Sequence, residues 1–339
     1  MTKQTKLGIN GFGRIGRLIL RTIIEENYPN TQILAINGPA DPQTNAHMFK
    51  YDSTYGVFKG EVDWSDDAIF VNGQEIKCIS ELSPDDIDWS KFDVDIVLEC
   101  TGKFTSKDQA KGHLKSGAKK VIISAPGKKE DITIVMGVNH EDYIPENHHI
   151  ISNASCTTNC AAPLMKVLHD NFGISQGMMT TIHSYTNDQQ VLDKRHKDLR
   201  RARAAATNII PTTTGAAKSV GIVIPELYGK VHGMAFRVPT PTVSVVDFVA
   251  TLETKVTVDS VNQAYKNASQ NYLSNIIELS MEPLVSSDFR GSPVSAVIDG
   301  LSTITINDNM VKVVGWYDNE WGYSCRTIEL ANFVASKGT

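Results

Sequence analysis

Cysteine is scarce in this chain. The five residues, Cys78, Cys100, Cys156, Cys160 and Cys325, form no CxxC pair and no Cys/His zinc spacing. That excludes a disulfide framework and a metal centre, and it points to a reducing cytoplasm. No apolar run approaches the ~20 residues of a membrane-spanning helix. Neither sign of charge dominates: the formal net charge is only -5 over 339 residues, so no nucleic-acid or membrane surface is expected. Met1 to Lys6 is short and polar and runs into an apparent strand, so neither a signal nor a transit segment is expected. There is no repeat, low-complexity stretch or domain linker, and the length fits two tightly packed domains.

What is present begins with Lys6 to Asn10, an apolar strand entering Gly11-Phe12-Gly13-Arg14-Ile15-Gly16, followed by the amphipathic run Arg17 to Glu26 and a second strand, Gln32 to Asn37. Alone, GxGxxG is a weak signal. Between strand and helix it predicts a dinucleotide-binding turn: one glycine for the tight turn, one for close approach of a pyrophosphate, one for helix–strand packing. The carboxylate that usually meets a ribose 2'-OH about 20 residues further on is missing, because Asn37-Gly38-Pro39-Ala40 intervenes before Asp41. Asn37 or Asp41 could take the ribose role. Otherwise discrimination against NADP weakens.

Further along, residues 43 to 51 read as a helix. Residues 57 to 80 read as antiparallel strands decorating the core, with Asn72-Gly73 as a hairpin turn. Val94 to Glu99 is a strand that leaves through Cys100-Thr101-Gly102. Lys107 to Lys115 is a crossover helix, and Lys120 to Ser124, Ile132 to Val138 and Ile150-Ile151 are further strands. The pattern then changes. Gly177 to Tyr185 is a strand, Thr186 to about Asn208 a polar loop, and Val231 to Val238, Val243 to Leu252, Ser295 to Ile298 and Met310 to Trp316 alternate as antiparallel strands do, with Val258 to Leu273 a helix among them. The expected fold is therefore α/β: an N-terminal Rossmann-type doubly wound parallel sheet over 1–154, and a second α+β catalytic domain over 155–319 built on a mostly antiparallel sheet. A C-terminal helix, about 320–339, is expected to pack back on the first domain.

The chemistry centres on 152 to 160, Ser-Asn-Ala-Ser-Cys-Thr-Thr-Asn-Cys, which lies between a strand and the helical run Ala161 to Leu168. This places Cys156 at or inside the first turn of a helix, where free N–H groups and the macrodipole favour a thiolate and can hold an oxyanion. For a lone cysteine a buried structural role is the commoner outcome. His183, at the end of the next strand, is a candidate base for that thiol. Thr186, Arg200, Arg201, Arg203, Thr212-Thr213-Thr214-Gly215 and Arg237 supply hydroxyls and guanidinium groups for a substrate with anionic ends, although taken singly each reads as a cap or a solvated charge.

Taken together and in order, INGFGRIGR, SNASCTTNC, HSYTNDQ, LRRARAAA, NIIPTTTGAAK, RVPTPTVSVVD and WYDNEWGYS resemble the phosphorylating glyceraldehyde-3-phosphate dehydrogenases end to end. The resemblance implies that Cys156 attacks the aldehyde of glyceraldehyde 3-phosphate and passes through a hemithioacetal and a thioester, with His183 as base. It assigns Thr186 and Arg237 to the substrate phosphate; Ser155, Thr157, Thr214 and Gly215 to inorganic phosphate; and Arg201 to a helper role. It places NAD against Gly11, Phe12, Gly13, Arg14, Ile15, Asn37, Gly38, Thr101, Gly102, Ser124 and Asn319, and it implies a homotetramer in which the loop after Thr186 reaches a neighbour's cofactor. Two departures stand out. Gly38 replaces the usual aspartate, and Lys194-Arg195 replaces the common Leu-Pro, so NADP is expected to be accepted alongside NAD or preferred. Erythrose-4-phosphate dehydrogenase and a non-catalytic redox-sensing or binding homologue remain as alternatives. The phosphate-site run Thr212 to Ala217 argues against the first, and retention of Cys156, His183 and Arg237 against the second.

Overall fold

The computed structural model describes residues 4–339, which divide into two compact units. The first contains the residues up to Ile134, His140–Ala154 and Ser324–Thr339; the second contains Val135–Asn139 and Ser155–Tyr323.

In the first unit, strands β1 (Thr5–Asn10), β2 (Thr31–Asn37), β5 (Val62–Trp64), β6 (Ala68–Val71), β7 (Gln74–Ile79), β8 (Ile96–Glu99), β9 (Lys120–Ile123), β10 (Ile132–Thr133) and β11 (Ile150–Ser152) form one sheet. A separate small ribbon joins β3 (Tyr51–Asp52) to β4 (Gly56–Val57). The order of the large sheet is β10-β11-β9-β8-β1-β2-β7-β6-β5, parallel from β10 to β7, with helices α1 (Arg14–Glu25), α2 (Pro42–Lys50) and α3 (Lys107–Lys115) along it. Strand order reverses beside β1, so the crevice outside its carboxyl end is the expected ligand site of such a sheet. Two glycines are sterically obligatory at the first turn. A Cβ on Gly16 would lie 2.3 Å from the Gly11 carbonyl oxygen. Gly11 itself has φ +98°, and a Cβ on it would lie 2.7 Å from the Thr101 backbone nitrogen.

Two expectations are corrected in this unit. The segment 57 to 80 is not a decoration, because β7 pairs in parallel with β2 and so extends the main sheet; only β6 and β5 are antiparallel additions. Ile132 to Val138 is a strand only to Thr133. Beyond it the Asn139 side chain accepts the Val135 N–H at 2.9 Å and Gly137 takes φ +81°, which bends the apolar run into a turn.

In the second unit, β12 (Ile174–Ser184), β13 (Ile210–Thr213), β14 (Val231–Val238), β15 (Ser244–Leu252), β16 (Ile277–Ser280), β17 (Ala296–Asp299), β18 (Ile304–Ile306) and β19 (Met310–Tyr317) form a mixed, mostly antiparallel sheet. Against it lie α4 (Cys156–Phe172), α5 (Ala216–Val223) and α6 (Val258–Gln270). Leu164 and Met165 of α4 are fully buried, and Gly315 of β19 leaves room for that helix, since a Cβ there would meet Leu164 at 2.8 Å. The final helix α7 (Trp321–Lys337) ties to the first unit through Tyr28–Glu329 and Asn153–Thr327 hydrogen bonds of 3.1 and 3.0 Å.

Candidate active site

Helix α4 begins at Cys156 because Ser155 caps it. The Ser155 Oγ accepts the Thr158 N–H at 3.0 Å, and Ala154 holds the left-handed φ of +54° that turns the chain from β11 into the helix. A non-glycine residue there stores backbone strain of about 1–3 kcal/mol, a feature that collects at functional sites. The sulfur therefore lies at the positive end of a helix of 17 residues.

β12 delivers His183 to that sulfur, with Nε2 at 3.5 Å from Sγ. The adjoining parallel strand β14 places Arg237 beside His183 in register. The His183 Nδ1 lies 2.6 Å from the Ser184 carbonyl oxygen and 2.9 Å from an Arg237 nitrogen. The carbonyl can only accept and the guanidinium can only donate, so the two contacts ask for opposite tautomers; the shorter one, to Ser184, favours the proton on Nδ1, with Nε2 facing the thiol as acceptor. Arg237 then spends the same NH1 on the Ser184 carbonyl at 3.0 Å and on Thr186 Oγ1 at 3.4 Å. Its buried Nε has no hydrogen-bond partner, so the guanidinium keeps a donor for an anion.

Burial drives the imidazole pKa down to about 3, helped by the Arg237 and Arg201 charges and opposed by the Ser184 carbonyl. It also pushes the Cys156 thiol above its ordinary value, against the Arg237 charge and the N–H and hydroxyl of Thr157. At this sulfur, desolvation therefore opposes the stabilisation of a thiolate that the helix start and the Arg237 charge supply.

A hydroxyl cluster braces this pair. Tyr317, at the end of β19, lies between Thr157 Oγ1 at 2.9 Å and Thr181 Oγ1 at 3.0 Å, with its ring edge-on to His183. Ser244 Oγ donates to Asn319 Oδ1 at 3.0 Å and receives the Ser184 N–H at 3.1 Å, which orients the Asn319 amide. The neighbouring Val243 has φ +66°, unusual for a β-branched residue, while its carbonyl accepts the Ser184 hydroxyl at 2.7 Å. Tyr317, Thr181, Ser184 and Ser244 were not singled out from the sequence, although three of them lie inside quoted blocks.

Arg201 belongs to a neighbouring network. It pairs with Asp188, donates to Thr212 Oγ1 at 3.0 Å and to the Thr213 carbonyl at 3.2 Å. Thr214 caps toward Ala216, its Oγ1 accepting that N–H at 3.2 Å, and Gly215 starts α5 without a side-chain cap. Lys194 and Arg195 are exposed, and neither has an ion-pair partner among the described residues, whereas nearby Arg203 is paired with Asp193 at 2.7 Å.

The dinucleotide candidates gather in the first unit. Gly13 begins α1 with no side-chain cap and no acidic residue in the first turn, and a Cβ on it would meet nothing within 4 Å. An open helix N-terminus of this kind fits a pyrophosphate. Phe12 is buried, and the Arg14 side chain is spent on Asp52 at 2.5 Å, which leaves backbone near Arg14 and Ile15 to face a phosphate. Thr101 and Gly102 form the turn after β8, and the Ser124 Oγ donates to the Glu99 carbonyl at 3.1 Å. At the end of β2 the Asn37 amide is already committed, whereas Asp41 is exposed and spends one carboxylate oxygen on a helix cap. The Asn37 amide is spent on Asn10 and on the Glu81 backbone at 2.7–3.0 Å, and Asp41 caps α2 by accepting the Thr44 N–H at 2.7 Å. A Cβ on Gly38 would meet only the Phe12 nitrogen, at 3.7 Å.

A thiol–imidazole pair under a half-buried arginine, on a chain whose other unit carries a dinucleotide-type sheet, defines an oxidoreductase that works through a cysteine nucleophile. Comparison makes it specific. Residues 5–107 match the glyceraldehyde 3-phosphate dehydrogenase NAD binding domain, and residues 155–319 match the glyceraldehyde 3-phosphate dehydrogenase C-terminal domain. The chain is 59% identical over 333 residues to glyceraldehyde-3-phosphate dehydrogenase of Geobacillus stearothermophilus, covering 98% of this chain and 99% of that one. It is 56% identical over 335 residues to glyceraldehyde-3-phosphate dehydrogenase 1 of Bacillus cereus, covering 99% and 100%. Against glyceraldehyde-3-phosphate dehydrogenase 2 of Bacillus subtilis it is 52% identical over 334 residues, 98% of each chain. The chain belongs to the glyceraldehyde-3-phosphate dehydrogenase family.

Proposed function

We propose that this enzyme converts glyceraldehyde 3-phosphate and inorganic phosphate to 1,3-bisphosphoglycerate through a covalent intermediate on Cys156. The observation that carries the reading is the 3.5 Å approach of Cys156 Sγ to the His183 imidazole, whose Nδ1 lies 2.6 Å from the Ser184 carbonyl. The aldehyde carbon accepts the sulfur, the thiol proton moves to His183 Nε2, and the α4 N-terminal N–H groups hold the developing oxyanion of the hemithioacetal. Nε2 returns that proton to the oxyanion, which gives the hemithioacetal hydroxyl and a neutral imidazole. Oxidation to the thioester is the chemistry that NAD would supply, as hydride acceptor. His183 takes the hydroxyl proton back as the thioester forms, and Arg237 with Thr186 holds the substrate's phosphate. Ser155, Thr157, Thr214 and Gly215 seat the phosphate that attacks the thioester, Arg201 braces their loop, and Asn319 presents its amide to the cofactor. Purified protein is assayed for reduced nicotinamide with glyceraldehyde 3-phosphate, with and without inorganic phosphate. Phosphate-dependent turnover is expected; turnover equal without phosphate overturns the acceptor assignment.

A second reading concerns the cofactor. Position 38, at the end of β2, carries glycine and no carboxylate, and Lys194 and Arg195 have no ion-pair partner among the described residues, so NADP is accepted alongside or in preference to NAD. The loop that carries these cations also exposes Val191, Leu192 and Leu199 at 85%, 76% and 82%, apolar surface that a homotetramer would cover. Among the described residues no helix is long and apolar enough to cross a membrane, and all five cysteines are free. Both fit a cytoplasmic enzyme with small-molecule substrates.

A further inference from the structure

At the carboxyl ends of three adjacent parallel strands, β8, β1 and β2, the residues Glu99, Asn10 and Asn37 stand side by side in register. All three are at least 96% buried, and Glu99 is 1% exposed. The Glu99 carboxylate takes no cation. Its Oε2 accepts Asn10 Nδ2 at 2.5 Å and His113 Nε2 at 3.1 Å, while its Oε1 accepts the Thr101 N–H at 2.8 Å and the Thr101 hydroxyl. The direction of each bond is forced. Trp89 Nε1 can only donate, and it reaches His113 Nδ1 at 3.0 Å, so the His113 proton sits on Nε2 and points at Glu99. Asn10, having given its NH2 to Glu99, turns its oxygen to the Asn37 amide at 2.7 Å, and Asn37 in turn clamps the Glu81 backbone from both sides.

Resting on the cofactor reading above, we propose that Glu99 is a positioning residue for the dinucleotide: its carboxylate fixes the Thr101 turn directly and the β2 end at Asn37-Gly38 through Asn10. The physical reason is an asymmetry of donors. Four donors converge on one side chain, and only a carboxylate, with no hydrogen of its own, can receive all of them. Glu99→Gln keeps the shape but turns an NH2 group onto either the Asn10 and His113 donors or the Thr101 N–H, so donor meets donor and one of the two turns loses its anchor. None of these side chains belongs to the Cys156–His183 pair, so the effect is confined to cofactor binding.

The test measures NAD and ADP-ribose binding to the full-length protein by quenching of protein fluorescence, for the wild type, Glu99→Gln and Asn10→Ala. Expected is a rise in Kd of about tenfold for Glu99→Gln with both ligands, a KM for NAD that rises in step, and kcat, KM for glyceraldehyde 3-phosphate and the rate of Cys156 alkylation within twofold of wild type. Asn10→Ala, which cuts only the branch to Asn37, serves if Glu99→Gln does not fold, and it too must weaken ADP-ribose. An unchanged Kd in both variants, or a fall in kcat at unchanged KM, overturns the proposal. Wild-type protein that binds no NAD overturns the cofactor reading beneath it instead.

Discussion

At the scale of single residues, the proposed mechanism turns on where one proton sits. The short contact of His183 Nδ1 to the Ser184 carbonyl favours Nδ1, against the Arg237 donor, and leaves Nε2 to take the Cys156 proton. Replacing His183 by Gln is expected to lower kcat by about 10²–10⁴-fold while Cys156 remains alkylatable; a variant with wild-type kcat contradicts the base assignment. Arg237 lowers the thiol pKa through its charge. Arg237→Gln should therefore move the pH midpoint of Cys156 alkylation upward, and an unmoved midpoint would show that the guanidinium does not act on the sulfur. His183 also couples pH to stability. Its folded pKa, about 3, lies below the ordinary 6.5. An unfolded chain binds a proton near pH 6.5 that the folded one refuses, so this contribution is complete above pH 6.5 and is lost as pH falls toward 3. Denaturant titrations at several pH values should show that slope in the wild type and a shallower one in His183→Gln.

At the scale of elements, the site is the meeting of one helix start with the ends of three strands. α4 brings Cys156 and Thr157, β12 brings Thr181 and His183, β14 brings Arg237, and β19 brings Tyr317. The Tyr317 hydroxyl joins α4 to β12 through two threonines, so Tyr317→Phe should slow acylation of Cys156 with little change in KM for NAD; an unchanged acylation rate would leave the phenol a packing group only. Much of this was legible in the sequence. The strand–GxGxxG–helix unit carries its own steric reasons, and polar residues before an apolar run predict the start of α4. Other elements were not. β13 contains Pro211 and two threonines and reads as a turn, yet it pairs antiparallel with β14. β7 alternates like a hairpin strand, and nothing local reveals its parallel contact with β2, because that pairing is set by the chain's return to the sheet. Ile134 to Val138 is apolar enough for a strand, but Asn139 and Gly137 close it into a turn. Cys156 and His183 were named from the sequence, whereas the upward push on the thiol comes from burial, which spacing does not encode.

At the scale of the whole molecule, cofactor choice depends on residues distant in sequence. Gly38 has room for a side chain, since a Cβ would meet only one atom, at 3.7 Å. The combined variant Gly38→Asp, Lys194→Leu and Arg195→Pro should move the NADP/NAD ratio of kcat/KM toward NAD by about tenfold or more. An unaltered ratio would remove these residues from the account. The two reactive halves of the cycle, acylation and phosphorolysis, meet at one sulfur, and the most direct measurement looks at that atom. Enzyme mixed with NAD and glyceraldehyde 3-phosphate, with phosphate withheld, is quenched and its peptides are weighed. A phosphoglyceroyl mass on the peptide containing Cys156, discharged when inorganic phosphate is added, is the predicted result. Acyl mass on another residue, or a Cys156 adduct indifferent to phosphate, would contradict the mechanism.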